Sequence, residues 1–337
     1  MGSLLRLLPI VIILAGCYAE NTEKKKSAGI PGITIESEQL HVRFVDNSAR
    51  FVHISDSYQK GMNGIASLIH RNQGKNIFAT VGMNLECTHT DPPHGQLKDL
   101  WNAPRVGPME MEQVDPVTVR YTQKASEVSG LNMEMLFTVG GSFIDQTITI
   151  WPDHNIESSS SFFASYMNQV QNTSLFIRTP EGQDGDKQWL EITSAGHNAS
   201  DGTGVFSRPF DPEGMSWNDY LIDNPLLRQR IIETPGSRQA TLDAGFSEYP
   251  SKRIDHFYYG LVDDFVYLMI FREPEFIFWI SASGGQAVRS PAWDYEFRSG
   301  PQKAGEKRTY HLRLVYKPFE SIEDILMEVN SFLSEPK

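Results

Sequence analysis

The chain has few cysteines, little helical patterning, no basic excess and no sustained apolar run in its body. Only Cys17 and Cys87 occur in 337 residues. That excludes a disulfide framework and a zinc ribbon, both of which consume several thiols. Thirty Lys and Arg stand against 42 Asp and Glu, a formal net charge of −12. Such a chain lacks the basic face that a duplex phosphate backbone requires, so no nucleic-acid partner is expected. There is no Walker A sequence, no Gly-x-Gly-x-x-Gly after a strand, no Gly-x-Ser-x-Gly elbow and no His-Glu-x-x-His. Nucleotide hydrolysis, dinucleotide redox chemistry, classical esterase action and zincin proteolysis lose their usual signatures. No repeat of 20 to 50 residues points to a propeller or solenoid. What is present is a hydrophobic fraction of 40% and an aromatic fraction of 11%. These are too high for a disordered chain, and the length suffices for a full core without staples.

The N-terminus reads as a leader. Arg6 supplies the charged region, Leu7 to Leu14 the apolar run, and Ala15 and Gly16 the small residues a peptidase accommodates. Leu14-Ala15-Gly16-Cys17 resembles the bacterial lipobox, which implies cleavage before Cys17 and acylation of that residue. An ordinary secretory signal is the plainer alternative. Residues 18 to 32, with Lys24, Lys25, Lys26, Gly29, Pro31 and Gly32, read as a flexible tether. The expected organisation is therefore a signal over 1–16, an anchor and tether over 17–32, and a body over 33–337. The expected location is the outer side of a bacterial membrane, held by lipid alone. Cys87 is then expected to be a buried small hydrophobe.

The body alternates in the manner of strands. Thr118 to Tyr121, Glu134 to Val139, Phe143 to Trp151 and Tyr310 to Tyr316 are short runs rich in Val, Ile, Thr and aromatics. In Phe143 to Trp151, Ile144, Gln146, Ile148 and Ile150 share one face. Phe276 to Ile280 is apolar on both faces and reads as a central strand between two layers. Helical spacing is clearest at Ile322, Ile325, Leu326, Val329, Phe332 and Leu333, with Ser321 as N-cap, Asp324 completing a capping box and Pro336 as the stop. A shorter helix is expected over 225–233. The pattern predicts a mainly β protein: one large antiparallel β-sandwich or supersandwich with a C-terminal helix.

Three clusters carry candidate chemistry. Glu86, His89, Asp91 and His94 crowd one segment, but their spacing matches no standard metal motif, so no metal is assigned. If Gly82 to Thr88 is a strand, Asn84 and Glu86 share a polar face opposite Met83, Leu85 and Cys87; an amide and a carboxylate there suit sugar hydroxyls. Asp255-His256-Phe257-Tyr258-Tyr259 offers an imidazole for proton transfer near neutral pH, with Asp255 placed to orient it in a loop and Tyr258 or Tyr259 assisting. Alternation from Trp293 to Arg298 sends Trp293, Tyr295 and Phe297 one way, and Asp294, Glu296 and Arg298 the other. Paired carboxylates serve glycoside hydrolysis as acid and base or nucleophile. Glu86, His256, Asp294 and Tyr259 are the candidate catalytic residues. Asn84, Trp101, Arg105, Asn168, Tyr258 and Trp293 are candidate substrate contacts. Trp189, Trp217 and Tyr220 are further stacking candidates, and Arg105 and Arg208 could pair with uronate or sulfate oxyanions.

Seven segments taken together resemble one family of exported bacterial proteins with a galactose-mutarotase-like β-supersandwich. They are Lys60 to Ala66 with Ser67 to His70, Gly82 to Glu86, Phe163 to Asn168, His256 to Gly260, Ser283 to Gly285, Pro291 to Asp294, and Val315 to Pro318. The resemblance runs from about residue 40 to the end. It implies a saccharide in the concave face of a sheet. The reading that follows is a lipid-anchored protein acting on an oligo- or polysaccharide by acid–base chemistry, as a glycoside hydrolase or polysaccharide lyase. A non-catalytic glycan-binding lipoprotein and a mutarotase-like sugar epimerase are the alternatives. No motif requires a cofactor.

Overall fold

The computed structural model describes residues 32–48, 50–52, 59–91, 103–125, 130–179, 188–198, 202–209, 211–214, 247–248, 254–287 and 290–336. In chain order the strands are β1 (Ile33–Glu36), β2 (Leu40–Val45), β3 (Arg50–Val52), β4 (Gln59–Gly61), β5 (Gly64–His70) and β6 (Phe78–Asp91). A one-turn helix, α1 (Ala103–Val106), precedes β7 (Glu110–Asp115), β8 (Thr118–Gln123), β9 (Leu131–Val139), β10 (Phe143–Pro152) and β11 (Ser158–Met167). Then come β12 (Leu175–Arg178), β13 (Trp189–Asn198), β14 (Gly202–Pro209), β15 (Ser247–Glu248), β16 (Phe257–Val262) and β17 (Phe265–Phe271). The chain closes with β18 (Ile277–Ala287), β19 (Ser290–Ser299), β20 (Arg308–Pro318) and α2 (Ile322–Ser334).

The strands form a seven-stranded sheet, ordered β1-β2-β5-β6-β11-β19-β18, and an eleven-stranded sheet, ordered β15-β14-β13-β12-β16-β17-β20-β10-β9-β8-β7. A two-stranded ribbon pairs β3 with β4. The fold is mainly antiparallel β with one C-terminal helix, and Pro31–Lys337 forms one compact unit.

Alternation decides what each face does. Leu85, Phe163 and Tyr295 point inward from the seven-stranded sheet; Ile148, Tyr258, Tyr267 and Leu314 point inward from the eleven-stranded one, and all are buried in one core. Phe44 meets Phe137 and Tyr267 meets Trp293 across the gap, at ring-centroid distances of 5.6 and 5.5 Å. Burying each such side chain contributes about 1.5–3 kcal/mol. Strands β16 and β17 are apolar on both faces because the outer face of the large sheet is covered too. There, Tyr259, Leu261, Val266, Leu268, Ile270 and Val315 pack under Ile322, Ile325, Val329 and Phe332 of α2.

The C-terminal helix forms where its spacing predicts, with Ser321 Oγ accepting from the Asp324 amide at 3.2 Å. The second half of the expected capping box does not form, because Lys317 Nζ takes the Asp324 carboxylate at 2.8 Å and Glu328 at 2.5 Å. At the other end Arg272 donates to the carbonyls of Phe332 and Glu335, satisfying groups the last turn leaves open. A second expectation fails at β18. It ends the seven-stranded order instead of lying at its centre. Its two apolar faces have a different cause: Ile277 and Ile280 enter the core, while the half-exposed Phe278 lies under the Arg298 guanidinium. The helix expected over 225–233 lies outside the described residues.

Candidate functional site

The outer face of the seven-stranded sheet is the polar one. Register places Asn84 beside Ala164, Ala164 beside Asp294, and Asp294 beside Ser281, so these four form one row across β6, β11, β19 and β18. Asn84 donates to the Ala164 carbonyl at 3.4 Å, and Ser281 Oγ donates to Asp294 Oδ2 at 2.8 Å. Both Asn84 and Asp294 are buried despite facing away from the core. The Asn84 Oδ1 atom meets no hydrogen-bond donor among the described residues.

Next to this row the ladder slips. Leu85 pairs with Phe163 and Cys87 with Phe162, leaving Glu86 as the extra residue of a β-bulge. The slip changes the faces beyond it. Cys87 and His89 pair with Phe162 and Ser160, which pair in turn with Glu296 and Arg298. Cys87 therefore joins the polar face rather than opposing Glu86, contrary to simple alternation. Its Sγ lies 3.8 Å from His89 Nδ1. Burial, with Glu296 and Glu86 nearby, pushes its thiol up to about 12. Burial also lowers the His89 imidazole, against an opposing pull from Glu296; Arg298 adds to the lowering and Asp91 opposes it. Ser160 Oγ donates to Glu296.

Glu86 is held from two sides. Arg105 Nη1 donates to its Oε1 at 3.0 Å, and the Tyr166 hydroxyl lies 3.1 and 2.9 Å from its two oxygens. The Arg105 side chain is only 3% exposed and Glu86 is 16% exposed. Arg105 comes from α1, and its Nε donates to the Gly61 carbonyl at 3.0 Å. That contact needs glycine: a Cβ on Gly61 would fall 2.6 Å from Asn47 Cα and 2.7 Å from the Arg105 carbonyl oxygen. Asn47 fastens the same segment by donating to the carbonyls of Pro104 and Gly107 at 2.5 and 2.8 Å. Burial first, then the negative charges of Glu86 and Asp294, hold the Tyr166 hydroxyl far above its ordinary value, so it stays protonated. Tyr166 thus senses both carboxylates.

The expected catalytic group does not assemble as one cluster. Glu86 and Asp294 share the outer face of the small sheet. His256 immediately precedes β16 of the large sheet, with φ 60° and its Nδ1 2.9 Å from the Phe271 carbonyl. Asp255 does not orient it, because its carboxylate pairs with Arg178 at 2.5 Å. Tyr258 and Trp293 are fully buried between the sheets, and Tyr259 is fully buried under α2, so none of the three reaches that outer face. Asn168 follows β11 and donates to the Asn76 carbonyl at 3.4 Å. Trp189 packs on Phe257 and Tyr259. Trp101, Trp217, Tyr220, His94 and Cys17 lie outside the described residues. Among the described residues no group of three or more His, Cys, Asp or Glu is arranged to hold a metal ion, and no helix is long and apolar enough to cross a membrane.

Tyr166, Ser160 and Ser281 belong to this face but were not candidates by sequence; Glu296 entered with Asp294 as a paired carboxylate, and His89 only as a metal ligand. Alternation along β11 carries the signal for two of them, since Ser160, Phe162, Ala164 and Tyr166 fall on one side.

No protein-family model matches the chain, and no curated protein is similar to it in sequence. Its backbone is similar to that of a putative aldose 1-epimerase from Escherichia coli K12, with 8% identity and a TM-score of 0.49 over 86% of this chain and 100% of that one. A galactose mutarotase-like protein from Lactobacillus casei gives 10% identity and a TM-score of 0.49 over 85% and 100%. A GalM/aldose epimerase homologue from C. elegans gives 8% and 0.42 over 86% and 99%.

Proposed function

We propose that this chain is a carbohydrate-active protein that takes a saccharide onto the outer face of its seven-stranded sheet and acts on it by proton transfer. The observation that carries this reading is the Glu86–Tyr166 pair flanked by Asp294. A carboxylate held by Arg105 can take a proton, and the Tyr166 hydroxyl within one hydrogen bond of it, kept protonated by burial, can donate a hydrogen bond to a sugar oxygen. Around them the partly exposed His89 and Glu296 supply polar side chains of the kind that recognise sugar hydroxyls. His256 takes no part in this scheme.

The test is turnover of a panel of oligo- and polysaccharides, read by product chromatography for hydrolysis, ultraviolet absorbance for elimination and polarimetry for epimerisation. Glu86→Gln should lower the rate by about 10²- to 10⁴-fold, as expected for loss of a positioned base, and Tyr166→Phe should lower it through loss of the donor that holds the carboxylate and the sugar. Unchanged rates in both would remove the pair from the chemistry.

One observation favours a second reading, glycan binding without catalysis. Glu86 already receives hydrogen bonds from Arg105 and Tyr166, and Asp294 one from Ser281, as in a face built to hold its shape. Calorimetric binding with no product on any readout would select it. We also propose export and lipid attachment at Cys17. Palmitate labelling that is lost in Cys17→Ala supports that, and labelling that persists contradicts it.

A further inference from the structure

The same outer face ends in a pocket that the candidate site does not use. It has a volume of about 350 Å³ and lies where β11 and β18 begin and β19 ends, with Ser158, Glu275, Phe276, Phe278 and Arg298 in its wall. That volume falls at the lower end of small-ligand sites, enough for one sugar ring.

Two features give the pocket its chemistry. The first is an arginine–aromatic stack. The Arg298 guanidinium lies 4.9 Å from the Phe278 ring centroid. A guanidinium laid flat on a ring keeps its donor edge in plane and turned outward, the geometry that meets an oxyanion with two parallel hydrogen bonds. The second feature is the state of Arg298. Among the described residues no carboxylate forms an ion pair with it, although Glu296 stands two residues away on the same strand. Ser160 engages Glu296 instead. Arg298 is exposed, so its charge is available to a ligand.

The pocket is continuous with the candidate site through register. Arg298 pairs with Ser160 and Ser160 with His89, the next outward residue after Cys87. The charge of Arg298 is felt at His89. A saccharide lying along the strands from Glu86 would bring a neighbouring ring to Arg298, since the two to three strand positions between their levels span about 7–10 Å, one to two sugar units.

We infer that this pocket is a subsite for an oxyanion-bearing pyranose, a uronate or a sulfated sugar, bound by Arg298 with Phe278 and Phe276 as apolar platforms. The inference rests on the proposal that a saccharide occupies this outer face. Glu275 shares the pocket wall. It accepts ring hydroxyls and weakens, rather than creates, the attraction for an anion.

The experiment compares three oligosaccharides of matched length by calorimetry at low and high salt: an oligogalacturonate, a sulfated oligogalactan and a neutral oligogalactan. The wild type should bind one of the anionic probes about 10- to 100-fold more tightly than the neutral one, the worth of a charge-assisted pair, with affinity falling as salt rises. Arg298→Met should erase that preference and leave neutral binding unchanged. Arg298→Lys should keep part of it, and Glu275→Gln should strengthen it. The exposed side chain makes misfolding a small risk, and an unchanged melting temperature checks it. Which anionic probe binds distinguishes carboxylate from sulfate. Equal binding of charged and neutral probes, or a preference that survives Arg298→Met, overturns the subsite while leaving the saccharide reading intact. Failure of all three probes, with turnover also absent across the wider panel, overturns both.

Discussion

The Arg105–Glu86 pair offers a direct perturbation of the site. Replacing Arg105 with Met removes the guanidinium but keeps much of the side-chain volume. Its 3% exposure means that the charge has been taken out of water almost completely, and among the described residues its partners are the Gly61 carbonyl and Glu86. Breaking a buried pair by removing one partner costs about 3–5 kcal/mol. Here Glu86 keeps the Tyr166 hydroxyl and is 16% exposed, so about 2–3 kcal/mol is the fitting value. Unfolding entropy of about 2.1 cal/mol/K per residue over roughly 300 folded residues gives about 0.6 kcal/mol/K. The melting temperature should therefore fall by about 3–5 °C. A double-mutant cycle with Glu86→Gln isolates the pair from the packing around it. Urea unfolding of wild type, both single variants and the double variant should give a coupling of about 1.5–3 kcal/mol. Additivity within about 0.5 kcal/mol would refute the view that the two charges hold each other and fix the carboxylate for Tyr166.

The remaining predictions concern groups around this site and the helix. Cys87, raised from 9.0 to about 12 by burial and two nearby carboxylates, should react with a disulfide reagent at pH 8 about a thousandfold more slowly than a free thiol, measured in a Cys17→Ser background. Because its folded value lies above its unfolded one, the neutral thiol stabilises the fold below about pH 9, and that contribution should be lost as pH rises toward 12; a melting temperature indifferent to Cys87→Ala across that window would contradict this. His89 has the opposite sign for a base: its lowered value stabilises the fold above its ordinary 6.5 and should be lost as pH falls below it, visible as a smaller acid slope in His89→Gln. Ser321→Ala removes the cap on α2 and should cost about 1 kcal/mol in urea unfolding, with no change in ligand affinity. Gly61→Ala drives a methyl into Asn47 and the Arg105 backbone, and should weaken the site more than Ser321→Ala does while costing at least as much stability.

What was legible in the sequence follows from the range of the interactions involved. The alternation of Phe143 to Trp151 and of Tyr310 to Tyr316 is local, and β10 and β20 reproduce it residue by residue. The same holds for Trp293, Tyr295 and Phe297 entering the core while Glu296 and Arg298 stay outside. The amphipathic spacing of α2 is equally local. A bulge is not. One extra residue at Glu86 turned Cys87 and His89 onto the polar face, and nothing between Gly82 and Asp91 marks the slip. Convergence was harder still. Glu86, Tyr166 and Asp294 sit on β6, β11 and β19, made neighbours by strand order alone, whereas His256 was assigned to the same site on residue type and borders the other sheet. The two tyrosines beside it are apolar payload, one on each face of β16, which adjacent positions on a strand require.

The most direct measurement is single-substrate turnover, or binding if no product forms, compared between Tyr166→Phe and His256→Ala on the best ligand of the saccharide panel, each variant first confirmed as folded by its unfolding transition. The account predicts a large loss in Tyr166→Phe and wild-type behaviour in His256→Ala. Loss in His256→Ala with wild-type behaviour in Tyr166→Phe would contradict it and move the site to the large sheet.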